Sequence, residues 1–476
     1  MKSPFVKTLL FALLAVLVSG VAAAFYPWPE RVVESEMVGA PLFESYDISS
    51  VFKIRILKFD SDKGALDQFT LERNGEKWTI PANNKFVANN PTQIAVVAKS
   101  LNELTVLSEE ASDSQAFLDT GVVDPSKYES TTDRSALGTK LILEDYKGRR
   151  IASLIVGSSL KDEGAGVKNH FVRVPGQPTV YQVAFNKPSL TTDFTSWVNP
   201  DLFGFGVSQG LPAFGAGRIG IDNYRIAPEA LAGEAKPDRN YLAEFEIAQN
   251  GMQLASFSKE DDAGKLRKYE LNQEMLSGFK ALVRQIVRLQ FHDVKKKGSK
   301  LAKAMAEPRQ STDDSVFVPL REFGFVKKGF KDNSYDFDSI GGEVYVRYSD
   351  GVKVNLHIGD VAKGAISDSL RVSLHVMITA GVDESTFAMP EKPEDPQDKD
   401  YLRKLKRRDD GIKSATIRAS SFNQLHAGWI YLVPEDVIEA IRPDVEIGDA
   451  KPIADDAGEM KEEAKEEAKE EAVESE

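Results

Sequence analysis

No cysteine occurs anywhere in the 476 residues. That absence excludes disulfides, thiolate metal sites and a cysteine nucleophile. It also excludes a lipid-modified N-terminus, which needs a cysteine after the apolar leader. A chain exported without disulfides must be held by its cores alone, and domains of ordinary size can do this. Histidine is scarce: there are five, His170, His292, His357, His375 and His426. None is paired with another at metal-ligand spacing. His170, His357 and His375 fall in strand patterns, where a histidine belongs to a sheet face. A basic excess is also missing. The net charge is -13, and residues 455–476, with 11 acidic side chains and 3 lysines, carry -8 of it. That balance argues against nucleic acid as a partner.

The chain does have an uncharged apolar run near its start. Lys2 and Lys7 precede residues 8–26, which include Leu9, Leu10, Phe11, Leu13, Leu14, Val16, Leu17 and Val18. One reading is a cleaved signal peptide, with Ala22-Ala23-Ala24 as the small-residue site after Gly20. The other is an uncleaved anchor of bilayer-spanning length, with Tyr26 and Trp28 at the outer interface. Either one sends the remainder across the membrane, so residues 1–28 are expected to be a signal peptide or membrane anchor.

The body is organised around residues 67–107. Phe69, Leu71 and Arg73 alternate with Thr70 and Glu72, the period of a half-buried strand. Asn74-Gly75 predicts a tight hairpin with both turn residues at positive φ. Trp78 and Ile80 resume the alternation, and Pro81 stops it. Ile94, Val97, Leu101 and Leu104 then recur at helical spacing. The same unit returns downstream. Phe245, Ile247, Asn250-Gly251 and Leu254 repeat the hairpin, and Leu276, Phe279, Val283, Ile286 and Leu289 repeat the stripe.

The later parts correspond in order as well. The Phe117–Gly121 link returns around Phe323-Gly324-Phe325. A second hairpin over Leu141–Val156, closed by Gly157, returns over Val344–Ile358, closed by Gly359. Strands at His170–Val174 and Val180–Phe185 precede a short closing helix at Pro188–Trp197. In the second half, Trp429–Val433 precedes a closing helix at Pro434–Ile441. The predicted fold class is α+β: two tandem copies of an antiparallel-sheet domain, each with one main amphipathic helix. The expected division is a first repeat at 29–205, a Gly/Pro-rich linker at 206–240 in which Arg218–Ile226 reads as a strand, and a second repeat at 241–445. An acidic, disordered tail follows at 446–476. Residues 383–413, dense in Pro, Asp, Lys and Arg, are expected to be a mobile loop inserted in the second repeat.

The stretches "LERNGEKWTI", "LNELTVL", "LIVGSS" and "VYQVAF", at 71–80, 101–107, 154–159 and 180–185, resemble the bacterial domain of unknown function 4340. The resemblance covers most of 51–205 and, more weakly, 241–443. It implies a membrane-anchored, extracytoplasmic protein, often encoded beside gliding-motility-type ABC transporter components. The family has no established catalytic residues to carry over. Thr120-Gly121-Val122, followed by Asp124-Pro125, departs from the Tyr-Gly-Leu link common in the family.

Three constellations fall short of chemistry. Gly206-Val207-Ser208-Gln209-Gly210 matches the nucleophile-elbow pattern, but Leu211-Pro212 and Gly215 leave no room for the helix that must follow. Asp332, Ser334, Asp336 and Glu343 fit four positions of a calcium loop, but Phe337 stands where the sharp turn needs glycine. A polar surface loop is expected there. Two basic runs, Lys295, Lys296, Lys297, Lys300 and Lys303, and Arg403, Lys404, Lys406, Arg407 and Arg408, could meet anionic lipid headgroups or an acidic partner; the expected reading is solvated loop charge. The expectation is therefore a non-catalytic envelope protein without metal or cofactor. It would bind other proteins, such as subunits of a gliding-type ABC export system. The alternative is an extracytoplasmic module for a small ligand or glycan, with Trp197, Phe203, Phe205 and Phe214 near the junction of the repeats.

Overall fold

In the computed structural model the chain divides into two units, Met1–Asn199 and Pro200–Glu476. The structure describes residues 39–453 except 103, 111, 130–132, 161–168, 185–189, 204–214, 228–236, 249–250, 261–263, 307–312, 332–333, 363–371, 395–397 and 446–450. The apolar run at 1–28, the glycine motif at 206–210, Asn250, Phe205, Phe214, Asp332 and most of the acidic tail lie outside the described residues. Among the described residues no helix is long and apolar enough to cross a membrane.

The first unit is one nine-stranded sheet. Its strands are β1 (Lys53–Asp60), β2 (Ala65–Asn74), β3 (Lys77–Ile80), β4 (Phe86–Ala88), β5 (Thr105–Glu109), β6 (Thr139–Glu144), β7 (Arg150–Ser159), β8 (Asn169–Arg173) and β9 (Val180–Ala184). Their spatial order is β4-β3-β2-β1-β6-β7-β8-β9-β5, and every neighbouring pair is antiparallel. The alternation of β1 sets the core. Ile54 faces Leu71 and Leu143, and Ile56 faces Phe69 and Leu141. All six are buried. Trp197 stacks on Phe69 with ring centroids 5.2 Å apart, so this aromatic belongs to the first unit's core.

Helices α1 (Pro91–Lys99) and α2 (Ser114–Thr120) complete the unit. Two expectations are corrected here. The hairpin loop is Gly75-Glu76, because Asn74 still pairs with Lys77. Gly75 alone takes positive φ, at +63°, which is the glycine-first type of two-residue turn. The helical stripe is also shorter than its spacing suggests. The helix stops at Lys99, and Leu101 and Leu104 are buried beyond its end. Asn102 turns the chain there: its side-chain amide bonds both backbone groups of Tyr46 at 2.8 Å.

The second unit carries a ten-stranded sheet. Its strands are β10 (Ala216–Arg225), β11 (Asp238–Ala248), β12 (Gly251–Glu260), β13 (Leu266–Glu270), β14 (Asp293–Lys296), β17 (Glu343–Tyr348), β18 (Val352–Val361), β19 (Ser373–Val382), β20 (Trp429–Pro434) and β21 (Lys451–Pro452). A separate hairpin is made by β15 (Phe325–Lys331) and β16 (Ser334–Ser339). The sheet order is β14-β20-β19-β18-β17-β10-β11-β12-β13-β21. Strand β10 is its pivot: Ile219 faces Phe245 and Val346, and Ile221 faces Ala243 and Val344. This strand lies inside the 206–240 stretch expected to be linker. Its alternating Ile219 and Ile221 are the signal for it.

The helices of this unit are α3 (Gln273–Val287), α4 (Ser299–Ala306), α5 (Lys399–His426) and α6 (Glu435–Ile441). Every residue of β19 is buried, as befits a strand covered on both faces. Helix α5 corrects the mobile-loop expectation for 383–413. Asp398 caps it by accepting from the Tyr401 amide at 2.7 Å, downstream of the last proline, Pro396. Tyr401, Leu405, Arg408 and Ile412 are half-buried; Ala415, Ala419, Phe422 and His426 are buried. That is a stripe of eight residues at heptad spacing, hidden in the sequence by the charges between its members. Asn423, also buried, bonds both backbone groups of Ala380 in β19 at 2.8 Å.

The same close approach of glycines occurs in each unit. In the first, α2 ends at Gly121, φ +71°, beside Gly157 in β7. A Cβ on Gly157 would collide with the Thr120 carbonyl and lie 2.7 Å from Val122 Cγ1. In the second, the 3-10 helix Asp314–Phe323 ends at Gly324, φ +87°, beside Gly359 in β18. A Cβ on Gly359 would collide with the Phe323 carbonyl. These glycines are the Gly link and the closing glycine of the sequence pattern.

Candidate functional site

A cleft of about 330 Å³ opens in the second unit. It sits where the end of β10, the 340–341 turn, the end of β18 and the start of β19 meet α6. Ile226 and Leu374 are buried, and Ile340 is half-buried. With the more exposed Val361 they give the cleft its apolar surface. Charged residues also line it. Helix α6 supplies Glu435 and Glu439, one turn apart, while its buried Ile438 and Ile441 hold it in place. Arg442 follows the helix and is 3% exposed. Its Nη2 donates to Glu439 Oε1 at 2.8 Å and its Nη1 donates to the Gly341 carbonyl. A Cβ on Gly341 would lie 3.0 Å from that Nη1, so glycine makes room for the guanidinium. Arg442 Nε has no acceptor among the described residues. Burial lowers the Arg442 pKa, against the pull of Glu439. Arg225 closes a second bond onto Glu439, Nη2 to Oε2 at 3.2 Å. Glu439 is thus neutralised twice, whereas Asp360 and Glu435 form no ion pair among the described residues.

A polar relay stands behind Asp360. Lys295 Nζ lies 3.0 Å from His375 Nε2, and His375 Nδ1 lies 2.9 Å from the Asp360 carbonyl. Lysine can only donate, so Nε2 accepts and Nδ1 carries the hydrogen. Burial and then the Lys295 charge push the His375 pKa down to about 4, so the ring stays neutral at physiological pH. Lys295 therefore has a specific partner, contrary to its expected place in a solvated loop.

Lys297 departs further from that expectation. It is 3% exposed, and its amine has no hydrogen-bond partner among the described residues. Burial pushes its pKa down to about 7. His426, fully enclosed, is held down to about 3 by burial and then by Lys297, and its Nδ1 meets the Tyr431 hydroxyl at 2.5 Å. Alternation does not flag the buried lysine: Val294 shares its face with Lys296, which is exposed, and Lys297 follows the end of β14.

The remaining sequence candidates disperse. Ser334 and Asp336 lie on β16, with Ser334 and Phe337 buried, so a strand replaces the expected polar loop. Glu343 turns instead to His357, Oε1 to Nδ1 at 2.9 Å, while His357 Nε2 meets Thr379 Oγ1 at 3.0 Å. This acid–imidazole–hydroxyl row was not foreseen in the sequence. Its order matches an activated nucleophile, but His357 and Thr379 are 2% and 3% exposed. Phe337 packs against the imidazole, so the imidazole and the hydroxyl are buried, while the Glu343 side chain is part-exposed. Among the described residues no group of three His, Asp or Glu side chains could hold a metal ion.

The fold thus defines an α+β protein of large antiparallel sheets with a small mixed-charge cleft. Residues 78–308 match the model of a domain of unknown function, DUF4340. The match runs from β3 in the first unit to just past α4 in the second, close to half of the chain. The match supports that family for those residues. No curated protein and no solved structure matches it.

Proposed function

We propose that this chain is a non-catalytic, extracytoplasmic envelope protein that serves a membrane complex by binding other proteins, such as components of a gliding-type ABC export system. The apolar run at 8–26 and the match to that family support the location and the class of partner. The agreement of the two sheets supports the finer reading as a tandem duplication. Read from β1 and from β10 as corresponding strands, the nine strands of the first sheet and nine of the second follow one order. The paired glycines occupy corresponding places in both.

The observation that carries the interaction role is the first half of α5. Lys399, Arg403, Lys404, Lys406 and Arg407 are exposed there, on a helix fixed to the sheet by its second half. Of these, Arg403 pairs with Asp400 at 3.1 Å. A rigid basic face suits an acidic partner surface and speeds encounter with it. The test is co-purification from gently solubilised membranes, with Lys404→Glu, Lys406→Glu and Arg407→Glu combined in the comparison chain. Stoichiometric partners retained by the wild type and lost by the variant are expected. Equal recovery from both chains contradicts the assignment of this face.

The cleft beside α6 favours a second reading, a module for a small ligand. Its apolar surface and few charged groups are the usual make-up of such sites.

A further inference from the structure

The cleft's chemistry specifies a ligand more narrowly, and this inference rests on the ligand-binding reading. Two of its three carboxylates, Asp360 and Glu435, have no cationic partner among the described residues, while Glu439 is spoken for by Arg225 and Arg442. The cleft therefore offers uncompensated negative charge. Beside it stand two guanidinium groups, the exposed Arg225 and the almost wholly buried Arg442. The rest of the surface is aliphatic: Ile226, Ile340, Val361 and Leu374. A matching ligand carries a cation, an adjacent hydrogen-bond acceptor and an apolar side group.

We propose that this cleft captures the free α-amino end of an apolar amino acid or peptide. The ammonium lies between Asp360 and Glu435, the first carbonyl faces the arginine wall, and the side chain rests on the aliphatic surface. A bare metal cation would leave the aliphatic surface unused. A simple anion would face the surplus carboxylates, and a neutral hydrocarbon would leave them without a counter-charge. The volume, about 330 Å³, admits one or two residues and excludes a folded partner.

The experiment is isothermal titration of the purified full chain with leucinamide, N-acetyl-leucinamide, free leucine and leucyl-leucinamide. The wild type is compared with Asp360→Asn and Glu435→Gln, and thermal melts confirm that both variants are folded. Leucinamide is expected to bind, and acetylation to weaken binding about tenfold or more by removing the charge-assisted contact. Each variant is expected to lose about tenfold for the amine probes and little for the acetylated one. Tighter binding of leucyl-leucinamide than of leucine assigns the site to peptide ends; the reverse assigns it to free amino acids. Equal binding of the acetylated and free probes overturns the amino-end assignment and leaves the ligand-binding reading standing. Binding of none of the four, or binding indifferent to both variants, overturns the proposal and removes its support for a ligand site here.

Discussion

Replacing Lys297 with methionine should make the second unit more stable, and the size of the gain follows from the amine's surroundings. Lys297 Nζ is buried without a hydrogen-bond partner among the described residues, and its pKa falls from 10.5 to about 7. Each tenfold change in proton affinity corresponds to about 1.4 kcal/mol, so the burden is at most about 5 kcal/mol. Methionine keeps the side chain out to Cε and removes the amine. Allowing for imperfect repacking, a gain on the order of 3 kcal/mol at pH 7 is expected. The sign with pH follows from proton counts. Between about pH 7 and 10.5 the unfolded chain keeps the proton and the folded chain has lost it, so wild-type stability rises with pH across that window. Below it both states are protonated and the burden is constant. Urea unfolding followed by fluorescence, at steps from pH 6.5 to 10, should therefore give a difference between variant and wild type that is largest at the acid end and shrinks toward pH 10. A variant less stable than wild type at pH 7, or a difference independent of pH, would refute the reasoning. Either result would mean that the ammonium has a partner in the folded protein.

Other perturbations have equally definite outcomes. Gly359→Ala and Gly157→Ala each force a Cβ into a neighbouring carbonyl, and each should cost about 1–3 kcal/mol in chemical denaturation. Lys140 and Asp124 form a buried pair at 2.8 Å. Burial opposes the Asp124 charge, but the bonds from Lys140 and Ser126 outweigh it and hold the carboxyl below its usual range. Lys140→Met should destabilise by about 3–5 kcal/mol at neutral pH. Because the Asp124 pKa is lowered on folding, its contribution in the wild type is present above the ordinary carboxylate pKa and lost as pH falls through the folded value; acid titration of both chains checks this. Phe387 is wedged against Gly411 of α5, where a Cβ would lie 2.7 Å from its ring, and against Gly351. Phe387→Ala should raise amide exchange in the first half of α5 and leave it unchanged in β6, β7 and β8.

The core was legible where alternation was unbroken. Phe69, Leu71, Leu141 and Leu143 announce strands because one face is apolar and the other is not, and the same holds for Phe245, Val344 and Val346. The glycine partnership was half legible: Gly157 and Gly359 stood out as closing residues, but their approach to Gly121 and Gly324 is a long-range contact that no local pattern encodes. Helix α5 was missed because the basic side chains between Arg403 and Lys413 mask a stripe of half-buried positions at heptad spacing. The overlong first helix was missed for the opposite reason. Leu101 and Leu104 keep the helical period by coincidence, and it is Asn102, bonded to Tyr46 from 56 residues away, that turns the chain. The cleft was illegible because its residues come from five separate stretches. Of its charged members, only a fold-level arrangement decides that Glu439 is paired while Asp360 and Glu435 are not.

The most direct test of the proposed location uses the missing cysteine. In a cysteine-free chain a single Tyr146→Cys change, at a site 67% exposed, introduces one thiol without background. Intact cells with a permeabilised outer membrane are treated with a membrane-impermeant maleimide, and labelling is compared with that of lysed cells. An extracytoplasmic body predicts full labelling before the inner membrane is broken. Labelling that appears only after lysis would place the body in the cytoplasm and contradict the account.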